Sequence, residues 1–261
     1  SKGEMPTARR SVITTPTASG KTLCFNLPVL QSLVQQPEGR VLYLYPTKAL
    51  AQDQPAELNE LAKSLPDLRM FTYDGDTPQD ARRAVRARAN LVLTNPDMLH
   101  SGILPHHTKW VNLFQNLRYV VVDELHAYRG VFGSHFAHVM RRLARVTVRY
   151  GASPRYLVDS ATIGNPADFA QALLGRPFEA ITESGSPRAG RHFLFVNPEG
   201  SPYTAATRIL MAAVRAGHRT IAFTKARRIT ELMHSWIAQG APGLADRIEV
   251  QVAYAIGKAH P

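Results

Sequence analysis

Near the start of the chain stands TPTASGKT, residues 15–22, between a short apolar run that predicts a strand and a pattern that predicts a helix. A loop in this setting binds phosphate because its backbone N–H groups and the positive end of the helix surround the anion. Gly20 permits close approach, Lys21 supplies a cation, and Thr22 supplies a hydroxyl ligand for Mg²⁺. The pattern predicts a nucleotide site formed by Thr15, Pro16, Thr17, Ala18, Ser19, Gly20, Lys21 and Thr22. Because Thr15 stands where the pattern has glycine, a chance occurrence stays open from this stretch alone.

A second informative stretch, LRYVVVDELH, occupies residues 117–126. Its continuous apolar run is typical of a buried parallel strand, and two adjacent carboxylates follow that run. Buried carboxylates are costly unless they meet a charge, and a metal–nucleotide complex supplies one. We expect Asp123, with Thr22, to hold Mg²⁺, Glu124 to activate the attacking water, and Lys21 to neutralise the phosphates. The alternative for DELH alone is an acidic helix start, whereas the two stretches together favour a nucleoside triphosphatase.

Composition limits the class of protein. The chain has 261 residues, 44% of them apolar and 20% charged, as in an ordinary globular protein. Its formal charge of +11 favours a polyanionic partner such as nucleic acid. The arginine-rich runs 81–89 and 140–149 are either solvated helix faces or part of that interface. With one cysteine, no membrane-length apolar run and no secretory signal, a cytoplasmic location is expected and a membrane partner is not.

Strand-like and helical patterns alternate along most of the chain. The predicted strands, which are short runs rich in apolar residues, cover 11–14, 40–45, 69–73, 90–94, 117–122 and 155–160. The predicted helices cover 21–35, 49–64, 77–88, 133–150 and 166–174. This alternation predicts an α/β fold with a doubly wound parallel sheet and ligands at the carboxyl ends of its strands.

A small, polar, proline-containing segment, ESGSPRAGR at 183–191, is typical of a linker. We therefore expect a first domain at 1–183, a linker at 184–191 and a second domain at 192–261. In that second domain the patterns predict strands at 192–196, 219–224 and 248–254, and helices at 203–216 and 226–239. About seventy residues are too few for a second sheet as large as the first, so we expect a partial domain.

The constellation resembles the superfamily 2 helicases of DExH type (DEAD/DEAH box), and most of all the mitomycin-repair-factor-A branch of bacterial DNA helicases. Beside TPTASGKT and DELH, further stretches stand in the family's order over the whole chain. These are PTKALAQDQ (46–54), YDGDT (73–77), TNPDMLH (94–100), RGVFGSH (129–135), SATIGNP (160–166) and IAFTKAR (221–227). The resemblance implies two RecA-like domains of the P-loop NTPase class, ATP and Mg²⁺ as cofactors, and nucleic acid as partner. It also implies later motifs that this chain does not contain, so we expect a fragment.

The resemblance also implies roles for single residues. Contacts to the nucleic-acid backbone are implied for Pro46, Thr47, Lys48, Gly75, Thr94 and Asn95 in the first domain, and for Thr224, Lys225 and Arg227 in the second. The resemblance also implies that the state of the bound nucleotide is coupled to the affinity for nucleic acid through His126, Ser160, Ala161 and Thr162. From the residues alone, ordinary turn, helix-cap and surface positions are an open alternative for each.

These observations lead to an expected function: an ATP-dependent DNA helicase or translocase core in DNA repair, acting as a monomer on single-stranded or forked DNA. Three alternatives stay open. The chain is an RNA helicase, a nucleic-acid-binding fragment that does not hydrolyse ATP, or a P-loop enzyme acting on a small molecule, which the basic surplus disfavours.

Overall fold

A computed structural model describes residues 10–15, 20–47, 67–185 and 192–245, together with the single residues 58, 60, 63, 65, 190 and 248. The chain forms two compact units, Ser1–Arg188 and Ala189–Pro261. The boundary falls within the segment for which the sequence predicts a linker.

The first unit is built on one seven-stranded sheet in which every pairing is parallel. Its strands are β1 (Ser11–Thr14), β2 (Arg40–Leu44), β3 (Met70–Thr72), β4 (Leu91–Thr94), β5 (Leu117–Val122), β6 (Arg155–Ser160) and β7 (Glu179–Ile181). They lie in the order β3-β4-β2-β5-β6-β1-β7. The strand that precedes the predicted phosphate loop, β1, is therefore next to β6, and β6 is next to β5, which precedes DELH.

Helices connect these strands because each parallel pairing needs a crossover. Those whose bounds lie within the described residues are α1 (Lys21–Gln35), α2 (Gln79–Arg88), α3 (Pro96–Met98), α4 (Val111–Gln115), α5 (Gly130–Arg149) and α6 (Pro166–Leu174). Between them lie a π-helical turn (Leu99–Ile103) and two 3-10 turns (His107–Trp110 and Leu125–Ala127).

The core consists of two apolar layers, one on each face of the sheet. Alternate residues of the central strands point to opposite faces, so Leu42 and Val120 join one layer while Val41 and Val121 join the other. The first layer packs on α5 and α6, and the second packs on α1. Such strands are apolar throughout because both faces are covered, which confirms the predicted doubly wound α/β fold.

The six strands predicted for the first unit are all present, with ends that differ by no more than about two residues. The seventh, β7, was not predicted. Of the helices, α5 begins at Gly130, earlier than expected. The predicted helix 49–64 lies outside the described residues except for single positions. No helix of the described part of the chain is both long and apolar enough to span a membrane.

The described part of the second unit contains three helices, α7 (Pro202–Arg215), α8 (Arg227–Gly240) and α9 (Pro242–Ala245), which pack around Ile237 and Leu244. The predictions of strands at 192–196 and 219–224 were wrong, because neither run forms a strand. A strand needs a hydrogen-bonded neighbour, and these runs have none among the described residues. Their apolar side chains are exposed instead, as Phe195 and Phe223 show. The predicted strand 248–254 lies almost wholly outside the described residues.

Candidate nucleotide-binding site

Gly20 belongs to the predicted phosphate loop and directly precedes α1. Its φ of 78° is in the left-handed region, which glycine adopts without the steric cost that a side chain brings. The amide nitrogen of Leu23 donates to the Gly20 carbonyl at 3.1 Å and so begins the helix. Thr15, at the start of the loop, is buried, whereas residues 16–19 lie outside the described part. Thr22, on the first turn of α1, is half-buried.

The side chain of Lys21 extends to the carboxyl end of β6. Its ammonium group donates to the Ser160 carbonyl at 3.0 Å and lies 3.9 Å from Asp159 Oδ2. This contact follows from topology, since β1 and β6 are neighbours and both end at the same edge of the sheet. A lysine held among oxygen atoms at a helix start is placed to exchange those contacts for phosphate oxygens.

Asp123 and Glu124 leave the neighbouring strand β5 at the same edge. The Asp123 amide donates to Leu44 at 2.9 Å and so extends the pairing with β2. Glu124 then adopts a φ of 52°, the one positive value outside glycine among the described residues. Its amide donates to Asp159 Oδ1 at 2.8 Å, which holds the strained turn. Left-handed backbone at a residue other than glycine costs about 1–3 kcal/mol and is concentrated at functional sites.

The carboxyl group of Asp123 is buried beside other acids. Burial raises its pKa to about 9, and further contributions come from a hydrogen bond with the Asp159 carboxyl and from the charges of Asp159 and Glu124. Asp123 therefore keeps a proton near neutral pH until a cation arrives. The hydroxyl of Tyr128 is also buried, and this burial, with the same three acids, raises its pKa.

His126 joins the second carboxylate to β6. Its Nδ1 lies 3.1 Å from the Ala161 amide nitrogen and 3.0 Å from Glu124 Oε2. Because the amide can only donate, Nδ1 accepts that bond and has no proton for Glu124. The 3.0 Å contact is consequently not an ion pair in the neutral imidazole. Glu124 Oε2 and Ser160 Oγ are then buried without a hydrogen-bond partner among the described residues.

The residues present fit a magnesium ion that brings other ligands with it. No group of three His, Cys, Asp or Glu residues in the described ranges has the geometry to hold a metal. Mg²⁺ in nucleotide sites needs less than that, since one or two protein oxygens, phosphate oxygens and water complete its shell. Asp123 offers a buried carboxylate that a cation would stabilise, and Thr22 offers a hydroxyl at the helix start.

Several residues for which nucleic-acid contacts were predicted lie at the carboxyl ends of β2, β3 and β4. Pro46 and Thr47 are half-buried after β2, and Gly75 is exposed after β3. Thr94 is buried, and its hydroxyl donates to the Tyr73 carbonyl at 2.6 Å. The side chain of Asn95 caps α3 by accepting from the Met98 amide at 2.8 Å. Lys48 lies outside the described residues.

In the second unit, the three predicted contact residues surround the start of α8. The hydroxyl groups of Thr224 and Thr230 lie 2.5 Å apart. Lys225 is exposed, and Arg227 Nε donates to Glu231 at 2.8 Å along the helix. Surface ion pairs of this type add little stability, so Arg227 can exchange its partner at low cost.

Comparison with known proteins assigns the family. The model of the DEAD/DEAH box helicases matches residues 4–169. The chain belongs to the DEAD/DEAH box helicase family. The matched range contains TPTASGKT, DELH and SATIGNP, three of the stretches that contribute residues to the carboxyl edge described above.

Longer helicases are similar to this chain. It is 57% identical over 190 residues to the uncharacterised ATP-dependent helicase YprA of Bacillus subtilis, covering 72% of this chain and 25% of YprA. It is 38% identical over 237 residues to the ATP-dependent helicase HRQ1 of Saccharomyces cerevisiae, and the match covers 85% of this chain and 22% of HRQ1. The chain thus spans about a quarter of the length of these relatives.

A solved structure of the DUF1998 helicase MrfA bound to DNA and AMPPNP matches with a TM-score of 0.86 at 47% identity, covering 92% of this chain and 34% of MrfA. The DEAD-box helicase Mss116, bound to single-stranded RNA, matches with a TM-score of 0.68 at 16% identity and shows the RecA-like fold alone.

The structure also reveals a residue at this candidate site that sequence reasoning missed. Asp159 contacts Lys21, Asp123 and the Glu124 amide. The sequence did contain a signal for Asp159. This acid stands directly before SAT at the end of an apolar strand, and Asp123 was selected because it too is a carboxylate at the end of such a strand. The partners of Asp159, however, are distant in sequence, and only the strand order brings them together.

Proposed function

We propose that this chain is the ATP-dependent core of a DNA helicase or translocase. The observation that carries the proposal is the convergence of Lys21, Asp123 and Glu124 at one edge of a parallel sheet, with Asp159 between them. The described relatives include ATP-dependent helicases and a helicase bound to DNA and AMPPNP, which supports ATP as cofactor and DNA over RNA as substrate.

The proposed chemistry gives each side chain one task. Lys21 leaves the Ser160 carbonyl and binds the β- and γ-phosphates, while the loop amides surround them. Thr22 and Asp123 hold Mg²⁺, which when bound neutralises charge on the phosphate oxygens. Glu124, whose Oε2 has no hydrogen-bond partner among the described residues, positions and polarises the attacking water.

Coupling is proposed for the residues that connect the carboxylates to β6. His126 accepts from the Ala161 amide while lying beside Glu124, so a change at the γ-phosphate reaches the segment of Ser160, Ala161 and Thr162. The buried and unpartnered Ser160 hydroxyl has bonding capacity for a second arrangement of this segment.

Nucleic acid is proposed to bind along Pro46, Thr47, Lys48, Gly75, Thr94 and Asn95, and at Thr224, Lys225 and Arg227. Thr94 and Asn95 support this edge from within, since their side chains bond to backbone. The surplus of basic residues suits a phosphate backbone. We propose that the ligand is single-stranded or forked DNA and that the protein acts on it as a monomer. The proposed setting is DNA repair in the cytoplasm. We also propose that residues 192–261 are part of a second RecA-like domain, which follows the linker 184–191.

Steady-state ATP hydrolysis with and without single-stranded DNA tests this function. We expect stimulation by DNA greater than by RNA of the same sequence, no nucleotide binding in Lys21→Ala, and nucleotide binding without turnover in Glu124→Gln. Unchanged turnover in Glu124→Gln would refute its role. Binding of ATP and DNA by the wild-type chain without any turnover would instead identify a nucleic-acid-binding fragment.

A further inference from the structure

The turn that follows β3, residues 74–77, is held by one arginine of α2. We propose that Arg82 is a positioning residue for nucleic-acid binding: it fixes this turn so that Gly75 can meet the sugar–phosphate backbone. The inference rests on the proposed function, and it separates Arg82 from the other arginines of the helix, which remain available as simple charges.

The turn is ordered by its own side chains before Arg82 is considered. The buried Asp74 accepts at Oδ1 from the Asp76 amide at 2.9 Å and from the Thr77 hydroxyl at 3.2 Å. The Asp74 amide donates to Thr77 Oγ1 at 2.9 Å. These contacts leave Gly75 exposed at the tip, where the absence of a side chain lets a ligand approach the backbone.

The guanidinium group of Arg82 binds the carbonyl groups of the same turn. Its Nε donates to Thr77 at 2.9 Å, and its Nη2 lies 3.3 Å from the Gly75 carbonyl oxygen and 3.4 Å from that of Asp74. The planar group also lies over the Tyr73 ring, 5.4 Å from its centroid. Tyr73 in turn packs edge-on against the buried Trp110 at 4.8 Å, so the turn is tied to the core.

These contacts need an arginine rather than a positive charge. The rigid, planar guanidinium group donates to three carbonyl groups and lies over a ring face at the same time. The single ammonium group of lysine cannot reproduce this arrangement. Arg83, the next residue, provides the comparison. Its side chain is exposed and makes no hydrogen bond to the part of the chain that the structure describes.

Three variants of the whole chain separate position from charge: Arg82→Ala, Arg82→Lys and Arg83→Ala. The affinity for a fluorescent oligo-dT strand is measured by anisotropy at several salt concentrations. We expect both Arg82 variants to weaken binding about tenfold or more, because a held turn is lost, and Arg83→Ala to weaken it no more than about threefold. The slope of log K against log salt should not change for Arg82→Ala, since Arg82 neutralises no phosphate.

Two results would overturn the inference. A slope reduced by about 0.7 in Arg82→Ala, restored in Arg82→Lys, would make Arg82 a phosphate ligand. Equal losses in Arg82→Ala and Arg83→Ala would leave only a charge effect. Hydrogen exchange of residues 73–78 provides a readout without DNA: exchange should accelerate in both Arg82 variants and not in Arg83→Ala, and unchanged protection would refute the holding role. Absence of DNA binding by the wild-type chain would instead contradict the proposed function.

Discussion

Replacement of Asp123 by asparagine should stabilise the protein while it removes the carboxyl group that we propose as a ligand of Mg²⁺. The pKa of this buried carboxyl is about 9 in the folded chain, against an ordinary value of 3.8. Between these values the folded state holds a proton that the unfolded state releases, so the free energy of unfolding falls as pH rises. The slope is about 1.4 kcal/mol per pH unit for one group. From 3.8 to pH 7 the loss reaches up to about 4 kcal/mol.

Asparagine is neutral at every pH and escapes this loss. We therefore expect Asp123→Asn to exceed the wild type in unfolding free energy by up to about 4 kcal/mol at pH 7, and by a margin that increases from pH 5 to pH 8. For a unit of this size the gain corresponds to a melting temperature higher by roughly 10 °C. Activity sites commonly carry such a cost in stability.

Urea unfolding at several pH values, followed by circular dichroism, measures the difference directly. Asp67→Asn is the matched control, because it makes the same chemical change at an exposed position and should leave the free energy of unfolding nearly unaltered. Addition of Mg²⁺ and a non-hydrolysable ATP analogue should stabilise the wild type more than Asp123→Asn, which lacks one proposed ligand of Mg²⁺ and keeps Lys21 and Thr22. Parallel stability curves for wild type and Asp123→Asn across pH 5–8 would refute the reasoning.

The sequence predicted the parts of the fold in which local pattern and tertiary role agree. Central strands such as β2 and β5 are buried on both faces, so their apolar runs are unmistakable. Edge strand β7 is the opposite case, because its three residues are exposed and carry no such pattern. The run 219–224 has the sequence pattern of a strand but does not form one. A strand needs a hydrogen-bonded neighbouring strand, and the sequence of the run does not determine whether such a neighbour is present.

The site divides in the same way. Lys21, Asp123 and Glu124 stand in motifs whose chemistry is local, and sequence was enough to name them as candidates. The contacts of Asp159 depend on which strands are neighbours in the sheet, and those of Arg82 depend on where the turn 74–77 folds back. The spacing of residues in the sequence predicts neither. The left-handed backbone at Glu124 was equally unpredictable, because it is maintained by an acceptor on another strand.

Two further variants test how the site is held. Tyr128→Phe removes a buried hydroxyl that has no hydrogen-bond partner among the described residues, so stability should be unchanged or higher by about 1 kcal/mol. A loss of that size in thermal unfolding would show that the hydroxyl has a partner. For Asp159, asparagine keeps an oxygen that can accept from the Glu124 amide at the observed 2.8 Å, and alanine does not. Both variants remove the charge near Lys21, so their difference reports the hydrogen bonds that an amide side chain keeps and a methyl group loses, which are those with the Glu124 amide and with the Asp123 carboxyl. Asp159→Ala should be less stable than Asp159→Asn by about 1–3 kcal/mol in urea unfolding, because a strained amide then lacks its partner. Equal stability of the two would mean that the turn at Glu124 is fixed by β5 and the following 3-10 turn alone.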